Sequence, residues 1–182
     1  MNYFTKSIGL RTPTLLWIAA VVSVKVAPLV LPDNVLVLVL PPFFAALVAT
    51  KLIALFRPSL DPMLRRAIAL LAGETFWLMA DVFRTDLIPM PMAIDILAGF
   101  ALAVLLVWRP SRVLVRVLIG GVSLAAATGI YLALTAPGWS LDTAAEALHA
   151  VLRLTIVLFA VAALRTVNRE REDAHFEEEV FS

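Results

Sequence analysis

The chain has no cysteine. That removes disulfides, thiolate metal sites, iron–sulfur clusters and a cysteine nucleophile, and it leaves the redox compartment undetermined. Histidine is almost as scarce, with His149 and His175 the only two. His175 falls in the charged C-terminal tail, so bis-histidine haem ligation inside a helical bundle is not available. His149 alone has the chemistry to ligate a haem or a chlorophyll-type pigment. Beside Glu146 and Arg153, it is expected to be a hydrogen-bonded histidine instead. No HExxH, GxSxG, GxGxxG or P-loop motif occurs. Charged residues make up 16% of the chain and the net charge is +1. Ordinary soluble domains carry roughly 25% charge, and so small a net charge gives no general pull toward nucleic acid.

What fills the space is apolar. The chain of 182 residues is 62% hydrophobic, with a mean hydropathy of +0.94; a soluble domain is roughly 45–50% apolar. The excess comes as long blocks separated by short charged or proline-containing stretches, the pattern of membrane-spanning helices. Six blocks approach the roughly 20 residues that a bilayer core requires: residues 13–31, 35–56, 66–83, 92–108, 113–135 and 146–165. Their apolarity is continuous rather than alternating, which excludes a β-barrel. The expected fold is therefore all-α, a polytopic membrane bundle of six helices in three hairpins. Pro28, Pro32, Pro41 and Pro42 leave open a broken or re-entrant pair in place of the first two spans.

Basic residues orient the bundle. With the N-terminus cytoplasmic, that side holds Lys6, Arg11, Arg57, Arg65, Arg66, Arg109, Arg112, Arg116, Arg165, Arg169 and Arg171, and the other side holds only Arg84. This asymmetry supports six spans with both termini inside. The opening stretch, MNYFTKSIGLRTP, fits a cytoplasmic lead into a retained first helix rather than a cleaved signal. LFRPS (55–59) and VWRPS (107–111) each close a hairpin on the basic side, 52 residues apart. Arg-Pro-Ser is a good helix exit whatever its history: Arg snorkels, Pro stops the helix, and Ser can cap the next one. Residues 1–165 are expected to form the membrane domain. Residues 166–182, TVNREREDAHFEEEVFS, are expected to form a charged cytoplasmic tail that extends the last helix and then frays.

Trp17, Trp108, Tyr131 and Trp139 lie near span ends, as interfacial aromatics do; Trp77 lies mid-span. Gly121, Ala125 and Gly129 make a small-residue stripe for close helix packing.

A few charges lie where lipid should be. Glu74, Asp81 and Asp95 interrupt the third and fourth spans; Lys25, Lys51 and Arg153 interrupt the first, second and sixth. Lys51 is near enough to its helix end to snorkel. A charge at the bilayer centre costs at least about 2.5 kcal/mol, so the others must face the bundle interior, a partner or water. Leu70, Glu74, Trp77, Asp81 and Arg84 share one helical stripe, and Asp142, Glu146, His149, Arg153 and Ala160 share another. Both are polar toward the non-cytoplasmic end. Together they suggest a water-accessible pocket open to that side, lined by the first, third, fourth and sixth helices. Glu74 would be its floor and Trp77 part of its wall. Expected ion pairs are Glu74 with Arg153, and Lys25 with Asp81 or Asp95. The carboxylates lack the spacing of a divalent-cation site, so neither a metal nor a cofactor is expected.

The expected function is transport: binding a small polar solute or a proton at Glu74, Trp77, Asp81, Asp95, Lys25, His149 and Arg153. The expected location is the bacterial inner membrane, within a complex of other membrane subunits or copies of itself. A non-catalytic assembly subunit, and an intramembrane acid/base enzyme using Glu74 or Asp81, are the alternatives.

Overall fold

A computed structural model describes the backbone of residues 3–30, 36–85, 90–138 and 140–181. Within those segments it leaves undescribed the side chains of 3–10, 27, 36, 37, 81, 83–85, 91 and 167–181. The described residues form six helices and no strand: α1 (Tyr3–Val30), α2 (Leu36–Phe56), α3 (Pro62–Thr85), α4 (Met90–Trp108), α5 (Arg112–Thr135) and α6 (Leu141–Phe181).

Helix ends follow local chemistry. α2 and α4 stop at Phe56 and Trp108, one residue before the Arg-Pro pairs, where a following proline disfavours helical backbone. Ser111 caps α5, its side chain accepting from the Leu114 amide. The matching Ser59 does not cap α3. Asp61 does, its Oδ1 accepting from the Leu64 amide at 2.8 Å, with Pro62 at the first helical position where its missing N–H is harmless. Ser140 starts α6 in the same way, accepting from the Thr143 amide at 3.1 Å. α1 contains Pro13 and Pro28, and α2 contains Pro41 and Pro42, yet each is one unbroken helix. The 31–35 connection between them lies outside the described residues. α6 continues as helix through Phe181, past the 165 boundary and through the expected fraying.

α3 is the hub. It packs against α2, α4 and α6, while α5 packs on α6 and α1 on α2. Three consecutive residues show how. Gly73 meets Pro42 and Ala46 of α2. Glu74 bonds to α6. Thr75 meets Gly99 of α4. Successive helical residues turn by roughly 100°, so one short stretch addresses three neighbours. A helix hidden on most sides has no need to be apolar on most sides. Accordingly, among the described residues, Leu38–Phe56, Arg112–Thr135 and Leu141–Thr166 are long and apolar enough to cross a membrane, with Met92–Trp108 a shorter apolar helix.

The buried apolar cluster gathers near the α2–α3 and α4–α5 turns. It joins Leu60, Leu64, Ile68, Leu106, Leu118, Ile156 and Ala160. α4 and α5 meet there, through Leu106, Val115 and Leu118, and touch little elsewhere. Outside, the bundle is lined with large exposed apolar side chains, among them Leu15, Ile18, Leu29, Leu97, Phe100, Leu124, Leu134 and Leu158. Water tolerates such continuous apolar surface poorly; a hydrocarbon surrounding accommodates it.

Candidate functional site

The polar centre lies where α3, α5 and α6 cross. Glu74 is only 4% exposed and His149 only 5%. The Glu74 Oε1 and Oε2 atoms lie 2.9 and 3.0 Å from His149 Nδ1. Arg153 Nε donates to Glu74 Oε1 at 2.8 Å, and its Nη1 donates to the Ala125 carbonyl at 3.0 Å. His149 and Arg153 are four residues apart, so one face of α6 presents both to α3. Trp77, one turn beyond Glu74 and 3% exposed, stacks on the imidazole with centroids 3.8 Å apart and planes 26° apart. The indole face fixes the ring's orientation. Trp77 Nε1 is buried with no hydrogen-bond partner among the described residues.

This arrangement has a definite chemical capacity. A carboxylate only accepts, so ionised Glu74 requires the hydrogen on His149 Nδ1; a protonated Glu74 would donate to a bare Nδ1 instead. One proton can thus reside on either partner without moving a heavy atom. Arg153, bonded to Oε1, balances the carboxylate charge when Glu74 is ionised.

Beside the centre lies a wedge-shaped cavity of about 370 Å³ between α4 and α5, backed by α3 and α6. Glu74, Thr75, Asp95 and Arg153 supply its charged and hydroxyl-bearing lining; the rest is mainly aliphatic, with Gly99 and Gly121 included. Its size lies at the lower end of the roughly 300–1,000 Å³ typical of small-ligand pockets.

The structure brings together Glu74, Trp77, His149, Arg153 and Ala125. It separates others that the sequence grouped with them. Lys25 is exposed on α1 and is not among the wedge residues. It forms no ion pair with Asp95, which is exposed on α4 at the wedge. The Asp81 side chain, and with it the Lys25–Asp81 pair, lies outside the described residues, as do the Arg84 side chain and Trp139. Trp77 lines a different crevice, between α2, α3 and α6. The fourth wall is α5, not α1. Sequence reasoning missed it because the α5 contribution is a backbone carbonyl and uncharged side chains. Of the small-residue stripe, Gly129 packs on Glu146 and Ala150 of α6, whereas a Cβ on Gly121 would meet nothing within 4 Å. The tight glycines are elsewhere: a Cβ on Gly73 would lie 2.7 Å from the Pro42 carbonyl oxygen, and one on Gly99 2.6 Å from Thr75 Oγ1.

No family, curated protein or solved structure matches this chain. The function must be argued from the site itself. Among the described residues, no group of three or more potential ligands could hold a metal ion.

Proposed function

We propose that the protein is an integral membrane protein of the transport class. It spans the bacterial inner membrane six times, with both termini and the arginine-rich turns on the cytoplasmic side. The Glu74–His149–Arg153 centre binds a proton, or a small polar solute that enters the wedge between α4 and α5, and the protein works with partner subunits or as an oligomer. The observation that carries this reading is the buried Glu74 carboxylate shared between His149 and Arg153 beside a cavity. Glu74 is near the middle of α3, and Arg153 near the middle of the apolar stretch Leu141–Thr166. Ionisable groups at that depth are expensive and are retained where they serve an ion or solute path.

The test is proton movement. Purified protein is reconstituted into vesicles loaded with a pH-sensitive dye, and a potassium diffusion potential is imposed. Wild type is expected to admit protons, and Glu74→Gln, folded and inserted, to admit none above empty vesicles. Equal flux in both proteins ends the proton reading. Uptake of labelled small solutes under the same gradient then decides the solute reading.

One observation favours a second reading, that of an assembly subunit. Both Glu74 oxygens are engaged, and Arg153 also ties in α5 through Ala125. Buried polar groups of this kind can fix helix register. Lost association with partner subunits in Glu74→Gln, with no transport defect, would favour it.

A further inference from the structure

On the other side of α4 lies a larger groove, about 680 Å³, between α4 and the α1–α3 face. Trp17, Phe56, Phe76, Phe100 and Trp108 line it, and Thr75 and Arg57 are its polar residues. The Thr75 hydroxyl already donates to the Leu71 carbonyl at 2.9 Å, which leaves the interior apolar. Along α3 the groove runs from Ile68 to Met79. Eleven residues of helix rise roughly 16 Å, close to half of a roughly 30 Å hydrocarbon core. The groove is therefore about one leaflet deep.

Its ends differ. Arg57 follows the last residue of α2, and its Nε is buried without a hydrogen-bond partner among the described residues. Exposed Arg109 follows Trp108, which is 75% exposed at the end of α4. A cation at the rim, an exposed indole at headgroup level and a leaflet-deep apolar slot are complementary to one amphiphile. We infer that this groove binds an acyl chain of an anionic phospholipid from the arginine-side leaflet, with the lipid phosphate on Arg57. The inference rests on the reading that the bundle spans a membrane with this end at the anionic cytoplasmic surface. It does not depend on what the wedge carries.

The full-length protein is placed in nanodiscs of equal phosphatidylglycerol and phosphatidylcholine, released gently, and its retained lipid weighed by native mass spectrometry. Wild type is expected to keep one phosphatidylglycerol per chain, preferred over phosphatidylcholine by roughly fivefold, as one basic residue at an anionic surface provides. Arg57→Gln is expected to lose that preference. Val104→Trp, which fills the groove from an exposed position on α4 and keeps Arg57, is expected to lose the lipid itself. Circular dichroism confirms that each variant is folded. Equal retention of the two lipids by wild type, or wild-type retention in either folded variant, overturns the inference. Displacement by millimolar glycerol phosphate also overturns it, by reducing the site to a bare phosphate site. Release of the chain from membranes by alkaline wash, without detergent, would instead sink the membrane reading.

Discussion

Helix α4 has a hollow on each side, and the two differ in what the chain places behind them. Toward α5 the back wall holds Glu74 and Arg153, with Asp95 at the side. Toward α2 the back wall is Ala72, Phe76 and Met79, and the cation stands at the end. Both hollows exist because α4 leans mainly on α3 and meets α5 only near their connecting turn. Thr75 lines both. The same loosely held helix thus separates a polar chamber from an apolar one. Fixed charge within the bundle suits ion or solute binding; charge at a rim with an apolar slot suits a lipid.

The contrast can be broken by substitution. Glu74→Ala is expected to have the largest effect, because it strands Arg153 with no opposite charge. Loss of about 3–5 kcal/mol, the usual result of breaking a buried pair, should appear in unfolding titrations with denaturing detergent. A loss below about 1 kcal/mol would mean that the wedge solvates Arg153 well enough to replace the carboxylate. Gly73→Ala is next. The new methyl meets a backbone oxygen of α2 that has no rotamer to move into, so about 1–3 kcal/mol of overpacking is expected in the same titration. Because Gly73 faces away from both hollows, proton flux should survive in whatever protein remains folded.

Gly99→Ala is expected to lose less, about 1 kcal/mol, because the obstructing Thr75 hydroxyl belongs to a side chain. Combining it with Thr75→Ala should recover most of the loss, and a double-mutant cycle measures the coupling. Strict additivity would mean that α4 simply shifts on α3, and that the two hollows are not fixed volumes. The smallest effect belongs to Gly121→Ala. It lines the wedge, but its methyl would meet nothing, so stability should change by less than about 0.5 kcal/mol.

Much of this was legible in the sequence, for physical reasons. Six apolar blocks separated by proline-containing breaks became six helices among the described residues, because length, proline and capping residues act locally. Glu74 and Arg153 were legible as partners because depth makes an unpaired charge costly. His149 was harder. Its neighbours Glu146 and Arg153 suggest hydrogen bonds within α6. It bonds to a residue 75 positions away, a relation that no local pattern carries. Lys25 looked like a pocket residue only because depth was known and direction was not. The glycines teach the same lesson. Spacing singled out Gly121 and Gly129, while the crossings that require glycine are at Gly73 and Gly99. Glycine spacing reports that a close approach is possible; only the partner helix decides where it happens. The wedge itself was invisible, since it arises from how sparsely α4 and α5 touch.

We propose that the Glu74 carboxylate, bonded to both His149 and Arg153, takes part in proton movement. Dye-loaded vesicles containing wild type or Glu74→Gln, compared under one potassium diffusion potential, test it most directly. Inward proton flux is expected with wild type, and none above background with the folded variant. Undiminished flux through Glu74→Gln would contradict it.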